Sequence, residues 1–365
     1  MSGRDQIDDL RVLVGLVTAH EQWRGGCLNL VASENIHSPL LGRFLASDLS
    51  GRYGDYSGRD LRRRRYQGTR YITEIEELAD RLARSMFGAR YVELRPLSGH
   101  LAAVAAILAL ARPGDMVLEV DRNGGGHRTA GKLSASTHFP LVVRGLPFDP
   151  HEHTVDAERT VALMRELRPR LVILGSSTFL FPHPVSAVAD AARELGETVV
   201  TYDGAHVLGL IAAGRFQAPL AEGAHVLVSS THKVFPGPQG GLILSDDETL
   251  ITEISEAVHP GLVANHHLAH VAALAADQLE AAGIITTVCA LDASLGGAGL
   301  RLGVQEITRM GATPPVIDDV ADLIAEVLIR RRSPEGITPK VRRLVAERLA
   351  ERPFELRLEE RSSHV

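Results

Sequence analysis

Only three of the 39 basic residues are lysines, Lys132, Lys233 and Lys340; the rest are arginines. Arginine serves solvation and ion pairing, but its guanidinium stays protonated and attacks carbonyls poorly, whereas a lysine of lowered pKa forms imines readily. Lys233 has the most constrained setting. Val228-Ser229-Ser230-Thr231-His232-Lys233 carries an apolar run into a polar turn, followed by Pro236-Gly237-Pro238-Gln239-Gly240-Gly241. A lysine at a strand end, cramped by such a turn, can hold a carbonyl cofactor covalently. Taken alone, a surface lysine in a loop is the blander account. Lys340 reads as surface and Lys132, in Gly131-Lys132-Leu133, as a loop residue.

Two further segments change the balance. An apolar run over 198–202 ends in Asp203-Gly204-Ala205-His206. A carboxylate there can pair with a pyridinium nitrogen and keep the ring an electron sink, although alone Asp203 reads as a helix cap. Leu97-Ser98-Gly99-His100 opens a helical pattern after another strand. Its backbone N–H groups and the Ser98 hydroxyl can hold a phosphate; a simple N-cap serine is the alternative.

The elements that must position these residues follow from periodicity. Residues 4–24 predict an arm helix, followed by an irregular stretch to about residue 72. Helices are expected over 73–86, 100–111, 156–167 and 185–195. Strands are expected over 91–94, 116–120, 171–174, 198–202, 226–229 and 241–244. Buried apolar strands alternating with helices predict an α/β fold, a mostly parallel sheet with helices on both faces, in which ligands sit beyond the carboxyl ends of the strands. After 246 helices dominate, and the tail from 335 is Arg/Glu-rich. The division expected is an N-terminal arm and site-contributing segment (1–72), a large cofactor-binding domain (73–258) and a reduced C-terminal domain (259–365). The formal charge of −6 offers no global field for nucleic acid. No segment has the uninterrupted apolar length of a membrane span. Cys27 and Cys289 give neither a disulfide framework nor a zinc spacing, so no metal is expected and a cytoplasmic setting is.

The order phosphate turn, ring aspartate, lysine resembles the fold-type I pyridoxal-phosphate enzymes, whose sheet has seven strands, and more closely serine hydroxymethyltransferase. The finer resemblance rests on Leu30-Val31-Ala32-Ser33-Glu34-Asn35 with Ser38-Pro39, and on Gly125-Gly126-His127. It rests equally on Tyr202 to Gly209, on His232-Lys233 with its Gly-Pro-Gln-Gly-Gly turn, and on Leu300-Arg301-Leu302-Gly303 with Ile307-Thr308-Arg309. The resemblance implies that Lys233 forms the Schiff base with pyridoxal 5'-phosphate, that Asp203 pairs with the ring nitrogen and that His127 stacks on the ring. Ser177 and His206 would neighbour the phenolic oxygen, while Ser98, Gly99 and His232 would cradle the phosphate, with His100 where the family has a small serine. Tyr53 would reach the cofactor of a neighbouring subunit, implying a homodimer with shared active sites. Arg301 would take the amino-acid carboxylate bidentately, assisted by Ser33 in the Ser33-Glu34 motif; Glu34 and His206 complete the expected substrate contacts.

Several departures bear on the reaction. Asp55 stands for the family's catalytic glutamate, and a carboxylate displaced by one methylene can cost on the order of 100-fold. An insertion, Asp60 to Arg64, precedes Tyr66, which matches the catalytic tyrosine. The run Arg62 to Arg65 reads as a solvated face beside the site mouth, suited to an anionic substrate group. The chain between Lys233 and Arg301 is short, its folate-contacting segment is reduced to Ile284 to Asp292, and Arg128 replaces an apolar folate-facing residue; His266 and His267 enter as candidate site residues. Tetrahydrofolate use is therefore left open.

The leading expectation is a hydroxymethyltransferase-like enzyme that makes or breaks the Cα–Cβ bond of a β-hydroxy amino acid. One alternative is decarboxylation, β-elimination or transamination of a larger amino acid in secondary-metabolite tailoring. The other is a catalytically silent cofactor-binding partner subunit.

Overall fold

A computed structural model describes residues 3–136, 138–277, 289–290, 298–299, 305–328, 330 and 334–349. The strands, in chain order, are β1 (Tyr91–Glu93), β2 (Met116–Glu119), β3 (Val142–Gly145), the short pair β4 (Phe148–Asp149) and β5 (Thr154–Val155), β6 (Leu171–Leu174), β7 (Val199–Asp203), β8 (Val226–Ser230) and β9 (Gly241–Ser245). Seven form one sheet in the order β1-β9-β8-β7-β6-β2-β3. Strands β3, β2, β6, β7 and β8 run parallel. Strand β9 is antiparallel to β8, and β1 to β9. Strands β10 (Cys289–Ala290) and β11 (Ala298–Gly299) pair separately.

The central strands read as unbroken apolar runs because both faces are covered. Successive side chains point to opposite faces: Leu118, Val172, Val200, Leu227 and Leu242 enter one core cluster, while Val117, Leu171, Val199, Val226 and Ile243 enter the other. Helices α6 (Ala157–Leu167) and α7 (Val185–Leu195) supply Met164, Val185 and Val188 to the first. Helices α4 (Gly99–Leu110) and α9 (Glu248–Glu256) supply Ile107, Leu110, Ile251 and Ile254 to the second.

Before the sheet, α1 (Gly3–Gly25) forms the expected arm. Its apolar side chains are left open: Leu10, Leu13, Leu16 and Trp23 are each more than half exposed. The stretch expected to be irregular contains α2 (Pro39–Leu45), capped by Ser38, whose hydroxyl accepts the Leu41 N–H. Pro39 fits the first turn because no partner is needed for an N–H there. Helix α3 (Arg70–Phe87) begins earlier than its apolar period suggested and ends on left-handed Gly88. Two short helices were also not anticipated, α5 (Thr129–Ser134) and α8 (Leu208–Ala212), so Lys132 lies in a helix rather than a loop. Helix α10 (Leu268–Asp277) packs on α2 and α3. The C-terminal helices are α11 (Gln305–Arg309), α12 (Pro314–Leu328) and α13 (Pro334–Arg348). Ile307, Val316, Val320, Leu344 and Val345 make a separate cluster there, reaching Leu28 and Leu30.

Candidate active site

The carboxyl ends of β2, β6, β7 and β8 open onto a cleft. Lys233, Asp203, His206, His127, His100, Gly99 and Ser177 all line it, so residues far apart in sequence converge there. Lys233 lies just beyond β8, and its Nζ is 3.4 Å from His206 Nε2. Its backbone is fixed from the N-terminal segment, where Asn35 Nδ2 donates to the Lys233 carbonyl at 2.7 Å.

Asp203 ends β7 and accepts the Ala205 N–H at 3.0 Å. Burial raises its carboxyl above the ordinary range, with Lys233, that N–H and His100 acting in the opposite direction. The neighbouring strand is pressed against it: a Cβ on Gly175 (φ +142°) would come within 2.6 Å of the Asp203 carbonyl oxygen. Across the cleft, His127 Nδ1 is 2.9 Å from Thr129 Oγ1, and its ring meets that of His100 edge-on at 5.5 Å. Burial, reinforced by Lys132 and Lys233, lowers His127 to about 4, leaving a neutral imidazole at neutral pH. Ser177 Oγ donates to the Gly125 carbonyl at 2.7 Å.

Ser98 is the N-cap of α4 and accepts the Leu101 N–H at 3.2 Å. Gly99 has no room for a side chain, since its Cβ would sit 2.7 Å from Ser230 Cβ. The Ser230 hydroxyl and His232 Nδ1 are buried without a hydrogen-bond partner among the described residues. Burial, with help from Lys233 and His37, holds His232 to about 4. Orphaned polar atoms beside a glycine-backed helix start fit a phosphate group, because buried donors left unpaired are costly. The part-buried Asp203 carboxylate likewise gains from a cationic partner, as a protonated ring nitrogen is.

Other expected site residues lie apart from this cleft. Ser33 and Glu34 are exposed, with Glu34 ion-paired to Arg24. Tyr53 and Tyr66 are about half exposed with ring centroids 5.2 Å apart. Asp55 is buried, with Oδ2 3.6 Å from His259 Nε2 and 3.9 Å from Arg65 Nε. Arg301 and the expected folate segment, apart from β10, lie outside the described residues. The arginine run is not one solvated face: Arg62 and Arg65 are exposed, but the Arg64 side chain is 3% exposed and bridges the buried Glu76. His266 is equally buried, its Nε2 2.5 Å from Glu76 Oε1, so it braces α3 and does not line the cleft.

Sequence reasoning missed Ser230 and Glu119. Glu119 lines the cleft and accepts the Ala130 and Gly131 N–H groups at 3.1 and 3.0 Å. An acid closing the apolar run Met-Val-Leu was its available signal. Among the described residues there is no His/Cys/Asp/Glu cluster suited to a metal, and no helix long and apolar enough to cross a membrane.

A lysine and a part-buried aspartate lining one cleft beyond a mostly parallel seven-stranded sheet are the marks of the fold-type I pyridoxal-phosphate enzymes. The family model for serine hydroxymethyltransferase matches residues 10–284. The chain is 37% identical to a serine hydroxymethyltransferase of Methanopyrus kandleri, over 93% of this chain and 94% of that one. It is 45% identical to one from Methanothermobacter thermautotrophicus, over 75% and 63% respectively. The fold is shared with L-threonine transaldolase from Pseudomonas fluorescens, with a TM-score of 0.87, 21% identity, and 98% and 96% of the two chains covered. The chain belongs to the serine hydroxymethyltransferase family.

Proposed function

We propose that the protein joins an amino acid to an aldehyde, or separates the two, at the Cα–Cβ bond of a β-hydroxy amino acid. The observation that carries this reading is the convergence of Lys233, Asp203 and His127 in one cleft. Lys233 would hold pyridoxal phosphate, Asp203 its ring nitrogen, and the Ser98-Gly99 turn with Ser230 and His232 its phosphate. When bound, the cofactor withdraws electrons from the substrate α-carbon.

The chain's own groups govern charge and proton placement around that carbon. Burial disfavours the lone Asp203 charge, so a cationic nitrogen beside it stabilises the pair. A neutral His127 can lie against an aromatic ring without placing a second positive charge there. His206, within reach of Lys233 Nζ, is placed to share a proton with it. Arg301, by its position in the family motif, would take the substrate carboxylate. Tyr53, Asp55 and Tyr66 do not line the cleft of their own subunit, which fits their service to a neighbour's. The open apolar side chains of α1 give a pairing surface for such a homodimer. Arg128 at the cleft wall favours an aldehyde taken directly over one delivered by tetrahydrofolate.

The test is synthesis from glycine and an aldehyde by the pyridoxal-phosphate-loaded protein, with and without tetrahydrofolate. The expected result is a β-hydroxy amino acid in both cases. Strict dependence on tetrahydrofolate would overturn the direct route. Carbon dioxide, ammonia or keto-acid release from a larger amino acid, with no aldehyde chemistry, would overturn the reaction class.

A further inference from the structure

The β2–α5 side of the cleft carries charge that neither the cofactor nor an amino-acid carboxylate uses. Arg128 lines the cleft with its side chain 41% exposed. Its backbone is left-handed (φ 58°, ψ 46°), a conformation a non-glycine residue holds only under constraint. That constraint is visible: Glu119 grips the backbone N–H groups two and three residues on, of Ala130 and Gly131, and the Lys132 N–H donates to the Arg128 carbonyl at 2.9 Å.

Lys132 therefore stands four residues beyond Arg128, one turn into α5. Its charge lies close enough to His100 and His127 to push both down. The acids nearby are already engaged. Both Glu119 oxygens serve backbone amides, and Glu119 and Asp121 both meet Arg128 at Nε, at 3.8 and 3.2 Å, leaving its two terminal nitrogens clear of them. Among the described residues the terminal guanidinium nitrogens of Arg128 make no hydrogen bond, and the Lys132 ammonium group makes no ion pair. Burial holds Lys132 below the usual lysine range, Glu119 opposes that, and Arg122 and Arg128 add to it as like charges. A cation at the cleft wall with unused terminal donors, backed by two more close behind it, is offset best by an anion from outside the protein.

We propose that Arg128 and Lys132 form an anion subsite, and that the aldehyde taken or released by this enzyme carries an acidic group, a carboxylate or a phosphate. This rests on the reading of the protein as a Cα–Cβ enzyme. The guanidinium fork suits a bidentate contact, and the ammonium group supplies a point charge beside it.

The test compares paired aldehydes with glycine on the loaded enzyme: 4-carboxybenzaldehyde against benzaldehyde, and glyceraldehyde 3-phosphate against glyceraldehyde. The expected kcat/KM ratio favours the anionic member of at least one pair about tenfold or more, as a charge-assisted hydrogen bond allows. The pair that responds identifies the group as carboxylate or phosphate. Arg128→Met and Lys132→Met should each move that ratio toward one. Ratios near one in the unaltered enzyme, or ratios that neither substitution moves, would overturn the proposal. So would a loss confined to tetrahydrofolate affinity, which would assign the cations to that molecule.

A binding measurement separates this from the reaction itself. Calorimetry on the loaded enzyme should give glutarate an affinity about tenfold above butyrate, and Arg128→Met should erase the difference. Retention of that difference by the variant counts against the subsite. If no aldehyde reacts with glycine while the Arg128-dependent preference persists, the reaction class is wrong and the subsite stands.

Discussion

The Lys233 Nζ lies 3.4 Å from His206 Nε2, where the turns beyond the neighbouring strands β7 and β8 meet. This contact couples the candidate cofactor-holding lysine to the turn that also carries Asp203, so a change at His206 should be felt at Lys233. His206→Ala should leave the fold intact and lower turnover by about 100-fold, the scale of one positioned proton-handling group. Steady-state kinetics beside a thermal melt check it; a fall in melting temperature that accounts for the whole loss would count against the coupling.

Gly99→Ala should damage cofactor retention as well as stability, because the new Cβ would sit 2.7 Å from Ser230 Cβ and from the Ser230 backbone nitrogen. Backbone offers no easy escape, so overpacking of about 1–3 kcal/mol is expected. Equilibrium dialysis against pyridoxal phosphate and urea unfolding measure the two effects separately.

The buried Arg64–Glu76–His266 group fastens the segment carrying Tyr53, Asp55 and Tyr66. Removing one partner with Arg64→Met strands a buried charge and should cost roughly 3–5 kcal/mol. Arg62→Ala, at an exposed pair with Glu77, should change stability by less than about 0.5 kcal/mol. Chemical denaturation of the two variants side by side decides between a braced arm and a solvated arginine face.

The buried His183, held to about 4 by burial alone, sets a pH dependence. Its folded pKa lies below that of the unfolded chain, so the unfolded state takes up the proton first as pH falls. The stability it contributes is complete above about 6.5, the ordinary histidine value, and is lost as pH drops toward 4. Urea unfolding from pH 7 to 4.5 should show that decline, with a shallower slope for His183→Gln.

The proposed sharing of sites across a homodimer makes a further quantitative expectation. Lys233→Ala and Asp55→Asn should each be nearly inactive. Mixed in equal amounts and allowed to exchange subunits, they should recover about one quarter of normal activity, because half the dimers then hold one intact site. Absence of recovery despite exchange would place Asp55 outside the neighbour's site.

Much of this was legible in the sequence because parallel sheets expose their chemistry at strand ends. Apolar runs covered on both faces stop where the chain turns polar, and Asp203, Ser98 and Lys233 lie at such stops. Scarcity of lysine added weight to Lys233. Position relative to solvent was harder to read. Arg64 and His266 look like surface or site residues by type, and only the tertiary approach of α3 and the segment after α9 buries them against Glu76. Glu119 was overlooked for a related reason: its carboxylate caps the backbone of α5, a helix too short to leave a period. Ser230 gains meaning only from Gly99, which is remote in the chain and in contact across the fold.

The central claim concerns Lys233, and the most direct test is to load the protein with pyridoxal phosphate, reduce with borohydride, digest and locate the cofactor adduct by mass spectrometry. The account predicts the adduct on the peptide containing Lys233 and its disappearance in Lys233→Ala. An adduct on Lys132 instead, or none on either lysine, would contradict it.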